Sequence, residues 1–274
     1  MSIFQAIILG IIQGITEFLP ISSSGHLVIL PFFLNWQLPA KETFIFNVLV
    51  QIGTLVAVIF YFRKDLALII SDFFKQLLAG KPFATHGARM GWLLILATIP
   101  AGLAGLFLAD VVEAAFSSPL VAGIALLVTA VLMILAEKIS QNIGDTQDIT
   151  FLTALFMGVM QVFAMFPGIS RSGSTISGGM MRHLKREAAG KFSFLMSIPV
   201  MLAAGALSAY QMVTEVPDLG SFLPIMAIGF LTAMVVGYVA IRWLLKFLVK
   251  NSLIYFSVYC IVLGGLTILV WAVK

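Results

Sequence analysis

Two short stretches of this 274-residue chain gather side chains able to bind an anion and move protons. In the first, Gln13 and Glu17 are four residues apart, hence on one helical face, and Ser22, Ser23, Ser24, Gly25 and His26 follow. In the second, Gly168 precedes Ser170, Arg171, Ser172, Gly173, Ser174 and Thr175. A guanidinium grips two phosphate oxygens in a bidentate fork, while helix N-termini and glycine-rich turns present N–H donors to the same charge. Phosphate is therefore the ligand these residues suit best. Glu17 and His26 add what binding alone does not require: groups that move protons or, for Glu17, hold a hard divalent cation. A serine between them is a candidate nucleophile.

Each residue also has a plainer reading. Glu17 and Arg171 would equally form a structural ion pair between two segments, and His26 a loop hydrogen bond. At least one of Ser22 to Ser24 reads as a helix N-cap, where serine is preferred. Gly168, Gly173, Gly178 and Gly179 also suit close helix packing. His86 and His183 sit among basic loop residues and read as solvated.

The elements that must position these residues belong to a membrane. Hydrophobic residues make up 61% of the chain, against roughly 45–50% in soluble domains. Only 10% are charged, where roughly 25% is usual. Lipid is thus the main solvent, and the apolar total sets a ceiling of about eight crossings at roughly 20 residues each. The net charge of +4 comes without a basic block interleaved with aromatics, so nucleic acid is no partner. A lone cysteine, Cys260, excludes an intramolecular disulfide and a cysteine metal site. The opening MSIFQAIILGIIQG has neither a basic n-region nor a small-residue cleavage site, so it is expected to stay in the mature chain.

Six apolar runs are long enough to cross: 46–62, 88–108, 118–136, 192–212, 222–241 and 253–272. Two more, 2–34 and 150–181, are interrupted by LPISSSGH and FPGISRSGSTISGG. Pro, Gly and hydroxyl residues at membrane depth free backbone groups that lipid cannot satisfy, so such loops need protein or a water-filled cavity around them. The expected form is a re-entrant helix–loop–helix returning to its own side. With two such hairpins, one face receives Arg63, Lys64, Lys75, Lys81, Arg89, Lys138, Arg182, Lys185, Arg186, Lys191, Arg242, Lys246 and Lys250, and the other only Lys41 and Lys274. That bias makes the basic face cytoplasmic and puts both termini outside. The stretch 63–86 is expected to lie along the cytoplasmic interface.

A gapless shift of 148 positions superposes Ala6 on Ala154, Gly10 on Gly158, Gln13 on Gln161, Phe18 on Phe166, Ser22 on Ser170, Ser24 on Ser172 and Gly25 on Gly173. Each half, about 1–136 and 149–274 of a single membrane domain, holds one hairpin and three spans, so the halves are inverted and their hairpins meet near the midplane. The linker is about 137–149. Of 28 charged residues, Glu17 and Arg171 alone fall inside the breaks, which makes both functional candidates by depth.

At these residues the chain resembles the undecaprenyl-pyrophosphate phosphatase family, the bacitracin-resistance type of bacterial membrane phosphatase. The family's Glu/Gln-x-x-x-Glu motif, serine cluster and His match Gln13-Gly-Ile-Thr-Glu17 running into FLPISSSGH, and its Pro-Gly-x-Ser-Arg-Ser-x-x-Thr motif matches Pro167 to Thr175. The resemblance implies hydrolysis of undecaprenyl pyrophosphate to the monophosphate carrier recycled in cell-wall synthesis, in the bacterial plasma membrane. It also implies a divalent metal ion (Mg or Ca), a polyprenyl pyrophosphate partner and a homodimer. Carried over by position, Glu17 acts in metal binding or as base, Ser23 as nucleophile and His26 as acid/base partner. Arg171 is the pyrophosphate clamp, with Ser170, Ser172 and Thr175 as further phosphate contacts. Gln13 removes one carboxylate that the motif allows. A secondary transporter or flippase of a phosphorylated lipid would need much of the same pocket, and is the competing reading.

Overall fold

The computed structural model describes residues 1–38, 40–115, 118–215, 220 and 223–274. The side chains of 40–42, 108–115, 208, 211–213 and 215 fall outside the description, and with them Lys41, one of the two basic residues expected at the outer face. The described residues form helices and no strand, with one isolated backbone bridge, Gly144 to Leu184. The helices are α1 (Ile3–Thr16), α2 (Ser23–Phe33), α3 (Ala40–Tyr61), α4 (Arg63–Leu78), α5 (His86–Ala115), α6 (Pro119–Ile139), α7 (Phe151–Phe163), α8 (Arg171–Met181), α9 (Arg186–Glu215), α10 (Leu223–Lys250) and α11 (Ile254–Val273).

Six of them are apolar and long enough to cross a bilayer: Thr43–Tyr61, His86–Phe107, Pro119–Ile139, Arg186–Leu207, Leu223–Lys250 and Ile254–Val273. They coincide with the six runs read from hydropathy, and the protein is a multi-pass membrane protein. The other four apolar-flanked helices are short. α1, α2, α7 and α8 have 14, 11, 13 and 11 residues. At 1.5 Å per residue none exceeds about 21 Å, well under the roughly 30 Å hydrocarbon core.

Lipid tails are as apolar as leucine, so burial of aliphatic surface does little to draw these helices together. Close backbone approach does more. α1 packs on α10, where a Cβ on Gly14 would lie 2.9 Å from the Ala233 carbonyl oxygen. α7 packs on α5, where one on Gly158 would lie 2.5 Å from the Ala97 carbonyl oxygen. α6 and α11 meet at Gly123 and Gly264, each facing the other's carbonyl. Inside, Phe18 and Phe194 stack edge to face with centroids 5.5 Å apart, which anchors the chain just after Glu17.

Polar contacts mark the two ends of the bundle. At one end Lys191 pairs with Asp65 at 2.7 Å, and the Arg89 guanidinium donates to the Ile149 carbonyl at 2.9 Å. Here too Glu137 accepts from Arg186 Nε at 2.8 Å and from the Leu253 N–H at 2.6 Å, tying α6, α9 and α11 together. At the other end Lys274 Nζ donates to the Phe32 carbonyl at 2.9 Å and to Asn35 Oδ1 at 2.7 Å, joining the last residues of α2 and α11. α4 carries exposed Leu68, Ile70 and Phe74 beside Arg63, Lys64 and Lys75.

Replacing Gly158 by Val puts a side chain where α5 backbone already stands, and overpacking of this kind costs about 1–3 kcal/mol. Gly265→Ala, at a position with no neighbour within 4 Å, is the control. In detergent the Gly158 variant is expected to melt at a lower temperature and the Gly265 variant at the wild-type temperature; equal melting of both would refute the packing argument.

Candidate active site

Both breaks begin their second helix in the same way. Ser22 caps α2, its hydroxyl accepting from the Gly25 N–H at 3.2 Å, and Ser170 caps α8, accepting from the Gly173 N–H at 3.0 Å. The one expected cap in the serine cluster is therefore Ser22, which leaves Ser23 and Ser24 for other work. Ser22 has φ 71°, in the left-handed region that non-glycine residues rarely occupy. Gly168 has φ 93° and stands so close to α6 that a Cβ would be 2.6 Å from the Ala122 carbonyl oxygen, so only glycine fits both the conformation and the space.

The two helix starts are joined across the molecule. Ser24 Oγ accepts from the Gly168 N–H at 3.3 Å, and Ser172 Oγ donates to the Leu19 carbonyl at 3.0 Å. Between them lie the two charges. Arg171 Nη2 donates to Glu17 Oε1 at 2.8 Å, a contact spanning 154 residues of sequence. The other carboxylate oxygen, Glu17 Oε2, accepts from Ser23 Oγ at 2.6 Å and from Gln13 Nε2 at 2.9 Å. Glu17 is 8% exposed, and the Arg171 side chain 16%. The ion pair foreseen as the plainer reading thus exists, and it holds a serine hydroxyl on the same carboxylate.

The charge balance of this cluster favours an additional anion. Arg171 is the first residue of α8, where a cation opposes the helix dipole. The partial positive ends of α2 and α8, together with the guanidinium, outweigh the single carboxylate. Only one nitrogen of Arg171 is spent on Glu17, out of five N–H donors that the group carries.

Other expected site residues lie to either side. Thr175 Oγ1 is committed to the Arg171 carbonyl at 2.7 Å and to Ser193 Oγ on α9 at 2.6 Å. Ser170 Oγ also contacts Ser172 Oγ at 3.2 Å. His26 is 6% exposed and turned away from Ser23: Nδ1 lies 2.7 Å from the Ser22 carbonyl oxygen and Nε2 2.7 Å from the Tyr259 hydroxyl of α11. Gln161, which stands 148 residues after Gln13, is 2% exposed and its amide has no hydrogen-bond partner; the position matching Glu17 is Met165. The second break thus has the amide and no carboxylate at these positions.

For a divalent cation the donors are few. Among the described residues no three His, Cys, Asp or Glu side chains cluster. Glu17, with the Gln13 amide oxygen and the serine hydroxyls, fits a hard cation that takes most of its ligands from phosphate oxygens and not from a protein cage.

Three contributors escaped the sequence reading: Thr129, Ser193 and Tyr259, each a polar residue inside an apolar span. Thr129 is fully buried, accepts from the Ser170 N–H at 3.0 Å and lies 3.4 Å from the Gly168 carbonyl oxygen. Threonine in a membrane helix commonly bonds its own backbone, as Thr129 does with Ala125, so nothing in its sequence context sets it apart. Thr129→Val keeps the shape and leaves the Ser170 N–H without an acceptor, a loss of about 1–3 kcal/mol. The variant is expected to melt lower and to bind phosphate-bearing ligands more weakly; unchanged melting would show that Thr129 does not support the turn.

Comparison with known proteins identifies the family. A sequence model described as bacitracin resistance protein BacA matches residues 6–266. The undecaprenyl-diphosphatase of Chlorobium phaeobacteroides (strain BS1) is 41% identical over 96% of this chain and 95% of its own. Those of Alkaliphilus metalliredigens (strain QYMF), 41% identical with 98% of each chain covered, and Myxococcus xanthus (strain DK1622), 38% identical over 97% of this chain and 88% of its own, are similar in the same way. The family match and these relatives, each covering nearly the whole of this six-span chain, show that it belongs to the bacitracin resistance protein BacA family.

Proposed function

We propose that this protein hydrolyses undecaprenyl pyrophosphate to the monophosphate lipid carrier and inorganic phosphate, working at the junction of α2 and α8. The observation that carries this reading is the Glu17 carboxylate shared by Arg171 and Ser23. It couples an anion clamp to a hydroxyl whose proton has somewhere to go.

The sequence of events follows from the contacts. The terminal phosphate takes its place against Arg171 and the first-turn N–H groups of α2 and α8, where fixed positive charge meets the oxygens that gain charge during transfer. Ser23 Oγ attacks phosphorus as its proton passes to Glu17 Oε2, and the bond to the bridging oxygen breaks, releasing the lipid monophosphate with that bond's electron pair. Water then cleaves the phosphoserine, its proton taken by a neighbouring base, and inorganic phosphate departs as the Ser23 hydroxyl is restored. His26 is the second proton acceptor, its Nε2 exchanging the bond to Tyr259 for one to the attacking water. A divalent cation held by Glu17 and the phosphates would supply further neutralisation of the pyrophosphate charge. Through all of this the polyprenyl chain remains in lipid.

The layout that serves this reading is a pair of re-entrant hairpins in an inverted repeat. Several contacts support it. α1 runs beside α10 in the same direction, Gly10 near Gly229 and Gly14 near Gly237, so it enters from the end where α10 starts, and α2 finishes at that end beside Lys274. α7 starts at the opposite end, where Ile149 meets Arg89, and α8 finishes there at the Gly144–Leu184 bridge. The latter end carries the basic residues that the positive-inside rule assigns to the cytoplasm, with both termini outside. The match of α1 on α10 by α7 on α5 is what an inverted repeat produces.

Detergent-solubilised protein, with no gradient across it, is expected to release phosphate from a polyprenyl pyrophosphate and to stop when a chelator is added. Arg171→Ala should lower that rate by about a thousandfold in a folded preparation. Normal turnover by the folded Arg171 variant, or no release by the wild type, would favour a carrier instead. Ser23→Ala is expected to lose activity on a similar scale; substantial residual turnover would mean that water attacks directly.

A further inference from the structure

His26 is held at both ring nitrogens, and the group holding Nε2 has no place in the motifs. The Ser22 carbonyl, 2.7 Å from Nδ1, can only accept a hydrogen bond, so Nδ1 carries a proton. In the neutral ring Nε2 then presents a lone pair, and the Tyr259 hydroxyl 2.7 Å away donates to it. The two rings lie nearly parallel, 7° apart in tilt with centroids separated by 5.6 Å, so the phenol also fixes the imidazole plane.

We infer that Tyr259 is a positioning residue for the phosphatase reaction, one that fixes the orientation of the His26 ring, whose tautomer the Ser22 carbonyl sets, and through that ring the turn that presents Ser23; this rests on the hydrolytic reading of the site. α11 is suited to the task. The neighbouring Cys260 is fully buried with Sγ 3.9 Å from the Pro20 carbonyl oxygen, so two consecutive residues of one helix hold both ends of the Pro20–His26 turn. That turn includes Ser22 in its left-handed conformation, and the Ser22 carbonyl accepts from both the His26 N–H, at 3.2 Å, and the His26 ring. Loosening the ring therefore also loosens the carbonyl that precedes Ser23.

The arrangement divides proton handling between two acceptors. Ser23 is bonded to Glu17 at 2.6 Å and to no ring nitrogen, so Glu17 serves the attacking hydroxyl. His26, facing α11, is left for the later water step, in which Nε2 exchanges its bond to Tyr259 for one to the water; until then Tyr259 holds the ring in place. A tyrosine that was only packing material would lose nothing with its oxygen. Tyr259 is 42% exposed, so its replacement by Phe keeps the stacked ring and adds no strain to the core.

The test is a double-mutant cycle on phosphate release in detergent, with Tyr259→Phe, His26→Ala and the pair, backed by nitrogen NMR of the His26 imidazole. Tyr259→Phe is expected to lower kcat about tenfold or more with KM within about twofold, and to melt like the wild type. In the His26→Ala background it should cost nothing further, because its effect passes through the ring. The Nε2 signal should move to that of a lone pair with no hydrogen-bond donor, while the Nδ1–H tautomer held by the Ser22 carbonyl persists. Wild-type kcat in Tyr259→Phe, or the same fold loss in the His26→Ala background, overturns the proposal. If the wild type releases no phosphate the hydrolytic reading itself fails, and the imidazole signals then decide separately: an Nε2 signal unaffected by Tyr259→Phe overturns the coupling as well.

Discussion

The fold is organised around one contact, the ion pair of Glu17 with Arg171. A charge at membrane depth costs several kcal/mol unless it is paired and hydrogen-bonded. Each break carries one such charge, and neither break can satisfy it internally. Bringing the two breaks together offsets both penalties at once, and the surrounding helices are shaped to permit it. Glycines let α1 sink against α10 and α7 against α5, so that the ends of both short helices reach the same level. The hydroxyls of Ser24 and Ser172 then cross from one break to the other.

The same pairing does more than join the two breaks. A buried ion pair replaced by apolar residues is often no less stable, so stability alone is a weak reason for it. Its geometry is more telling. Glu17 spends one oxygen on the guanidinium and the other on a serine hydroxyl and an amide, while Arg171 keeps most of its donors for an anion. The carboxylate is thus both the counter-ion that keeps the arginine buried and the acceptor of the Ser23 hydroxyl's hydrogen bond.

Much of this was legible in the sequence because membranes write simple rules. The six spans follow from apolar run length, and the two breaks from Pro20, Pro167 and the hydroxyl residues beside them. Gln13, Glu17, Ser23 and Arg171, singled out by type and depth, meet in one hydrogen-bonded cluster. What could not be read was direction. Helical spacing puts His26 near Ser23, but the ring turns to Tyr259, because a carbonyl one turn back captures Nδ1. Thr175 fits the phosphate motif, yet its hydroxyl is bonded within α8 and to Ser193. Thr129 and Tyr259 were hidden for a related reason: one hydroxyl in an apolar span is ordinary, and its partner lies far off in sequence.

The separation of the two charges also bears on how the protein is made. Arg171 is synthesised 154 residues after Glu17, which at roughly 5–20 residues per second is a delay on the order of ten seconds or more. During that interval the first break has a carboxylate and no guanidinium, with only Gln13 and Ser23 at hand to bond it. Burial in hydrocarbon disfavours such a group, so the first break lacks its stabilising cation until the second emerges. The ion pair thereby ties the burial of the first helices to the synthesis of α8: a chain that stops short of Arg171 leaves Glu17 without its cation.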